Sequence, residues 1–167
     1  MDPVKERFRL LYRIQDENYY DPLDGIYEQH INVAEYLRMR PIDENHFRIV
    51  HDTARELKSV LDTNGNWMLV GMYVYAWNET VERDRLFEDC RAGRINLILT
   101  HSFRTLDPDI KKALSFCKEL AEYDPPVGIF IEDMRLYTRD KRRPELMKSL
   151  MEMLDGRSET HGLTERK

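Results

Sequence analysis

Residues 86–100, LFEDCRAGRINLILT, contain the change of pattern that decides the fold. The first half has apolar residues at helical spacing, and Gly93 is a residue type that commonly ends a helix. The second half, Ile95 to Thr100, is almost entirely apolar, which is typical of a strand buried on both faces. We therefore predict a helix over Glu79 to Ala92 and, directly after it, an internal strand. The helix residues expected to face the core are Leu86, Phe87 and Cys90.

The same alternation extends through the rest of the chain. The other predicted strands are Ile31 to Met39, Trp67 to Tyr75 and Val127 to Ile131. The other predicted helices are Asn45 to Leu61, Pro108 to Tyr123 and Pro144 to Leu154. We expect Asp107 to cap the second of these helices and Pro108 to be its first residue. Alternating strands and helices indicate an α/β domain with a mostly parallel sheet.

The composition is that of one globular domain. The chain has 167 residues, of which 41% are apolar and 34% are charged, and its net charge is −5. No apolar run approaches the ~20 residues that span a bilayer, and no signal peptide is visible, so we expect a cytoplasmic protein without membrane contact. Cys90 and Cys117 lack metal-ligand spacing and the five histidines are scattered. We therefore expect reduced, partly buried cysteines, no metal and no cofactor.

The first thirty residues have a weaker pattern. Arg7 to Ile14 fits either an edge strand or a helix, and Gln15 to Glu28 is acidic and aromatic with turn signals. We interpret residues 1–30 as an N-terminal extension and residues 31–167 as the domain. The extension is expected either to cover the functional site or to complete an edge of the sheet.

Four segments together carry a resemblance to a known family. They are VAEYLRMR (residues 33–40), NWMLVGMY (66–73), FEDCRAGRINLI (87–98) and VGIFIED (127–133). They resemble, in this order, the segments VAxYxRVS, NPDWELVGIY, EDCRAGKIDLI and GVxVxFxxE of the serine recombinase catalytic domain, in the resolvase and invertase family. Their order and spacing are those of the family, and the tail from Glu145 is similar to the start of its dimerisation helix. The resemblance implies a three-layer, resolvase-like domain with a mostly parallel sheet of four or five strands flanked by helices.

The resemblance also implies a chemistry, which is DNA strand exchange by a serine nucleophile set among arginines that offset the phosphate charge. In this chain the serine position falls on Arg40, and Arg38 matches the first-strand arginine. The two arginine positions of a second cluster fall on Thr105 and Pro108, although a slip of one residue would bring Arg104 near the first. Because arginine cannot act as a nucleophile, we expect a domain that does not cleave DNA.

A second alignment of the first strand leads to the same expectation. It places Arg13, Ile14 and Gln15 on the RVS signature, with a long insertion after them. The nucleophile position then falls on Gln15, so both alignments remove the serine.

The candidate phosphate- or DNA-binding residues are Arg38, Arg40, His101 and Arg104. The alternative for the first two is a surface ion pair with Asp43 or Glu44. The neighbouring His101 and Ser102 suggest a hydrolase pair, but adjacent strand residues point to opposite faces, which disfavours a direct bond. Asp107 is better explained as a helix cap than as a catalytic group.

The end of the chain suggests a protein interface. The interface candidates are Met147, Leu150, Met151 and Leu154, because methionine surfaces repack easily, and ordinary core packing is the alternative. The basic run Lys141 to Arg143 is either a DNA contact or a solvated loop. We expect no separate DNA-binding domain after Lys167, and with the acidic net charge at most weak DNA binding.

Three functions remain open at this stage. In the first, the domain is unable to cleave DNA and associates with itself, as a dimer or other homo-oligomer, or with a recombinase subunit in a mobile-element context. In the second, it is a phosphodiester-processing enzyme with a relocated site that includes Arg38, His101, Ser102 and Arg104. In the third, it is a weak DNA-binding accessory protein.

Overall fold

The described part of the chain forms an α/β domain. The computed structural model describes residues 20–39, 66–76 and 81–153, together with the isolated positions 48, 52 and 55, which are helical. Within these ranges the strands are β1 (Ile31–Met39), β2 (Trp67–Ala76), β3 (Leu97–Thr100), β4 (Gly128–Ile131) and β5 (Leu136–Tyr137). The helices are α1 (Val81–Arg91), α2 (Phe103–Leu106) and α3 (Ile110–Ala121), followed by α4 (residues 146–153).

The strands form one sheet in the order β2-β1-β3-β4-β5. β1 is parallel to β2 and to β3, β3 is parallel to β4, and β5 is antiparallel to β4. The predicted mostly parallel sheet, flanked by helices, is confirmed with five strands. β5 has only two residues, which is too short for an alternating pattern to be recognised in the sequence.

A large apolar core lies between the sheet and the helices on one face. It contains inward residues of α1 and α3, and side chains of α4 pack against it. The predicted inward face of α1 is confirmed, since Leu86, Phe87 and Cys90 are all buried. A second, smaller core lies on the other face of the sheet.

Residues 20–30 cover this second face. Leu23 and Tyr27 are buried there, and the ring of Tyr27 stacks on Trp67 of β2 with 5.4 Å between the ring centroids. The indole Nε1 of Trp67 donates a hydrogen bond of 3.2 Å to the carbonyl of Ile26. The last third of the predicted N-terminal extension is therefore packed on the sheet, next to β1.

The start of α3 differs from the prediction. The cap is Asp109, whose carboxylate accepts a hydrogen bond from the Lys111 amide at 2.9 Å, and the helix begins at Ile110. Asp107 and Pro108 precede it, so their predicted roles as cap and first residue of this helix are wrong. The reason is α2, a single helical turn that was not predicted. Asp107 is the C-cap of α2, so the chain begins the next helix only at Ile110.

Other boundaries shift by a residue or two. α1 ends at Arg91 rather than Ala92, and β3 begins at Leu97 rather than Ile95. α4 begins at residue 146 rather than 144. The predicted helix Asn45 to Leu61 lies outside the described residues except at Arg48, Asp52 and Arg55, and both interpretations of residues 7–14 also lie outside them.

Candidate functional site

The carboxyl edge of the parallel strands is the place where open α/β sheets bind their ligands. In this chain Tyr36 of β1 lies beside Thr100 of β3, which lies beside Ile131 of β4. The residues that follow these three positions therefore meet at one edge. Two hydrogen bonds continue the sheet there, from the Glu132 amide to the Thr100 carbonyl and from the Asp133 amide to the His101 carbonyl, each 2.9 Å.

The predicted phosphate-binding residues fall on or near this edge without forming a described cluster. Arg38 lies in β1 beside Tyr75 of β2, and Arg40 lies outside the described residues. His101 follows β3 and Arg104 lies in α2, and both side chains are exposed. Convergence of these four residues on a phosphate stays a prediction.

Ser102 has a structural role that the sequence analysis missed. It is the N-cap of α2, and its hydroxyl accepts a hydrogen bond of 3.3 Å from the Thr105 amide. A second contact of 3.2 Å joins the two side-chain oxygens of these residues. A serine directly before a helix, accepting from the amide of the third helical residue, is the usual arrangement of such a cap. The Ser102 hydroxyl is thus oriented toward its own helix rather than toward a histidine base.

Asp107 is a helix cap, but it caps the end of α2 rather than the start of α3. It is the C-cap of α2, and its Oδ1 accepts a hydrogen bond of 2.9 Å from the Asp109 amide. Its Oδ2 pairs with the guanidinium of Arg83 at 3.4 Å. Arg83 lies in turn over the rings of Phe116 and Phe87, at 5.1 Å and 5.7 Å from their centroids. Asp107 therefore joins α1, α2 and α3.

Glu35 is an unexpected buried residue of β1, one position before Tyr36. It lies in the middle of β1, it is only 1% exposed, and neither carboxyl oxygen has a hydrogen-bond partner in the part of the chain that the structure describes. Burial raises the pKa of this carboxyl to about 8, and the nearby charge of Glu132 adds to the effect. A glutamate inside the otherwise apolar strand segment 33–37 was a signal that the sequence analysis did not use.

Glu35 and Glu132 lie on the same face of the sheet. Glu35 is in register with Leu99, and Leu99 is in register with Phe130. Glu132 comes two residues after Phe130, and side chains alternate along a strand, so it points to the same side. Glu35 therefore keeps its proton at neutral pH, and it lies on the face of the small core that contains Val33 and Leu99.

The basic run near the chain end makes contacts with the N-terminal segment. The guanidinium groups of Arg142 and Arg143 lie over the ring of Tyr20, at 4.2 Å and 4.1 Å from its centroid. The Tyr20 hydroxyl donates a hydrogen bond of 2.5 Å to the buried carboxylate of Asp140, and Arg142 donates to the Asp21 carbonyl. Two of the three predicted basic residues therefore help to hold residues 20–21 in place.

A cleft lies between the same two segments. It has a volume of about 260 Å³, and Arg139, Lys141, Asp24 and Asp140 all contribute to its lining. Because β5 runs antiparallel to β4, this cleft lies toward the amino edge of the parallel strands. It is therefore separate from the edge where the family resemblance places the chemistry.

The predicted interface residues on α4 are partly buried. Met147, Leu150 and Met151 pack against the large core, while Met153 is exposed. Leu154 lies outside the described residues. The helix thus shows core packing on one side and leaves apolar surface on the other.

The remaining ionisable groups give no sign of metal or thiol chemistry in the described ranges. Cys90 and Cys117 are both free and buried, rather than partly buried as predicted, and burial raises the pKa of each thiol to about 12. Among the residues that the structure describes, no three His, Cys, Asp or Glu side chains lie close enough to hold a metal ion. None of the described helices has the length and apolar character needed to cross a membrane.

The domain has the fold of resolvase-like catalytic domains. The crystal structure of the N-terminal catalytic domain of TP901-1 integrase superposes with a TM-score of 0.54 at 14% identity, covering 77% of this chain and 97% of that one. A resolvase family site-specific recombinase from Streptococcus pneumoniae has a TM-score of 0.48 at 14% identity, covering 80% and 95%. No protein-family model matches the sequence, and no curated protein matches it. The fold expected from the resemblance is therefore confirmed.

Proposed function

We propose that this chain is a recombinase-like domain that acts through protein association and does not cleave DNA. The observation that carries the proposal is Ser102, a serine at the carboxyl edge whose hydroxyl is bonded into the cap of α2. A cleaving site of this fold needs positive donors around a phosphate. At the family's second-cluster positions this chain has Thr105 and Pro108, neither of which carries a positive charge.

The residue types at the family positions support the same proposal. The nucleophile position falls on Arg40 in one alignment and on Gln15 in the other. The second-cluster positions fall on Thr105, which is bonded into the cap of α2, and on Pro108, which has no donor group. Loss of a nucleophile alone lowers the rate by many orders of magnitude.

Strand cleavage gives the direct test. Supercoiled plasmid carrying recombination sites of an active serine recombinase is incubated with the protein, and nicked DNA and covalent protein–DNA adducts are measured. We expect neither product, while the active recombinase produces both in parallel. A covalent adduct that survives denaturation would refute the proposal.

Association is proposed to use α4. Its outer side carries the exposed Met153, and flexible methionine side chains adapt to a partner surface. Met147 and Met151 lie on the side that packs against the large core. Co-sedimentation with a recombinase catalytic domain tests this, using Met153→Lys as the disrupting variant. Val81→Lys is the matched control, because Val81 is an exposed apolar residue at the start of α1. Equal association of the two variants would contradict the use of α4.

A phosphodiester-processing enzyme remains the second candidate, with His101 and Arg104 exposed near the carboxyl edge. The cap role of Ser102 disfavours it. Hydrolysis of a model phosphodiester that is lost in His101→Ala would establish it. The third candidate, weak DNA binding, rests on the basic run Lys141 to Arg143 and predicts salt-dependent retention of duplex DNA.

A further inference from the structure

The cleft of about 260 Å³ at the amino edge lies between two segments that are far apart in the sequence. One wall is formed by residues 22–26, and the other by residues 137–142, which begin in β5. Pro22, Ile26 and Tyr137 contribute apolar surface, and the four successive residues 139–142 are all charged. A concave site that combines apolar surface with a few charged groups is typical of the places where proteins bind small organic molecules.

Two of these charged residues hold the walls in place. Asp140 is only 5% exposed, and its carboxylate accepts hydrogen bonds from the Tyr20 hydroxyl at 2.5 Å and from the Arg142 amide at 3.0 Å. The Arg142 guanidinium lies over the Tyr20 ring and donates to the Asp21 carbonyl. The charges of Asp140 and Arg142 are therefore engaged within the protein, and they fix the position of one wall relative to the other.

The other lining groups of this wall are hydrogen-bond donors. Arg139 and Lys141 both line the cleft with exposed side chains. Tyr137 is paired with Phe130, but its ring lies against Gly128, where a Cβ atom would overlap it. The ring therefore extends toward the start of β4 and the cleft. Burial raises the pKa of the Tyr137 hydroxyl, although the charge of Arg139 lowers it, so the hydroxyl keeps its proton at neutral pH. A guanidinium, an ammonium and a hydroxyl group suit a ligand that supplies acceptors.

We propose that this cleft binds a small organic anion, whose single carboxylate or phosphate group is held by Arg139 and Lys141. A guanidinium presents parallel N–H groups that match two oxygens of either group. The lining carries three positive and two negative formal charges, and this small excess of positive charge favours one anionic group over a polyanion. The apolar surfaces of Pro22, Ile26 and Tyr137 then contact the organic part of the ligand. The site uses neither α4 nor the carboxyl edge, so it stands independently of the proposed function.

Calorimetric titration of the full chain with three probes that share a benzene ring tests the site. The probes are phenyl phosphate, benzoate and the neutral benzyl alcohol. We expect one or both anions to bind and the alcohol not to bind. Binding of phenyl phosphate alone assigns the ligand to phosphate compounds, and binding of benzoate alone assigns it to carboxylates. Failure of both anions to bind, or equal binding of the alcohol, overturns the proposal.

Variants assign the binding to the cleft. Arg139→Gln and Lys141→Gln are each expected to weaken binding of the anion about tenfold or more, which corresponds to about 1.4 kcal/mol. Lys148→Gln is the control, because Lys148 is an exposed cation of α4 that does not line the cleft. All three side chains are exposed, so we expect circular dichroism spectra equal to the original protein's. An equal loss of binding in the control, or no loss in the two cleft variants, contradicts this site.

Hydrogen exchange tests whether the ligand contacts both walls. A ligand between them binds only while residues 20–30 are packed on the sheet, so it stabilises that packing. The Ile26 amide donates to the Leu23 carbonyl, and the Gln29 amide donates to the Ile26 carbonyl. We expect the bound anion to slow exchange of these two amides in the original protein and to have no effect in Arg139→Gln. Binding that leaves both exchange rates unchanged would place the anion outside the cleft and overturn the proposal.

Discussion

Glu132 acts on Glu35 across the sheet, since its negative charge adds to burial in raising the pKa of the Glu35 carboxyl to about 8. In an unfolded chain the same carboxyl has a pKa near 4.5. Between these two values the folded protein keeps a proton that the unfolded chain has released. Stability therefore falls as the pH rises through this interval, because the unfolded state binds fewer protons.

The first prediction concerns Glu35→Gln, which removes the ionisation but keeps the size of the side chain. We expect the free energy of unfolding of the original protein to decrease from about pH 5 to about pH 8, by up to about 1.4 kcal/mol per pH unit. The variant should lose most of this slope and be the more stable protein at alkaline pH.

Urea unfolding across the pH series measures both proteins. Glu28→Gln is the control, because Glu28 is exposed. Its replacement is expected to leave the dependence of the unfolding free energy on pH unchanged. A slope equal in the original protein and in Glu35→Gln would contradict the raised pKa.

The second prediction concerns residues 20–30. Leu23 is buried in the small core beside Tyr27 and Trp67, so Leu23→Ala should lower the free energy of unfolding by about 2–5 kcal/mol. Glu28→Ala, on the exposed side of the same segment, should change it by less than about 0.5 kcal/mol. Thermal and urea unfolding measure both variants. Similar stability of the two would show that this segment does not contribute to the core.

The third prediction concerns the start of α3. Asp109→Ala removes the carboxylate that accepts the Lys111 amide, and it should cost about 1 kcal/mol. Pro108→Ala lies outside the helix and is exposed, so it should cost less. If Pro108→Ala were the more damaging change, the helix would begin where the sequence predicted. Urea unfolding of the two variants decides between the two starts.

The fourth prediction concerns the thiols. Because burial raises the pKa of Cys90 and of Cys117 to about 12, almost no thiolate is present at neutral pH, and thiolate is the reactive form. We expect a disulfide reagent to modify neither thiol in the native protein and both in denaturant. Rapid modification of the native protein would contradict the burial of the reacting cysteine.

The sequence predicted the elements that have strong periodicity. The boundaries of β1 were predicted at both ends, and those of β2 and α1 within a residue or two where they are described. Apolar runs such as Ile95 to Thr100 and helical spacing such as Leu86 to Cys90 are local properties, which explains this success. α2 and β5 were missed because elements of four and two residues contain less than one full period of pattern.

The candidate site was less predictable. The resemblance predicted where a phosphate site would lie and which positions lack the required groups, and both stay predictions, while Ser102 was left unassigned and Glu35 was overlooked. The cap role of Ser102 depends on a helix turn that the sequence did not reveal. The properties of Glu35 depend on strands and charges from distant parts of the chain.

The sequence by itself thus determined the alternation of the longer strands and helices and the mostly parallel sheet, because each follows from residues that are neighbours along the chain. Only the tertiary structure decided that Glu35 is buried on the same face as Glu132 and that Tyr20 lies against Arg142 and Arg143. Desolvation and contacts between residues about a hundred or more positions apart depend on the packed fold, which no local pattern contains.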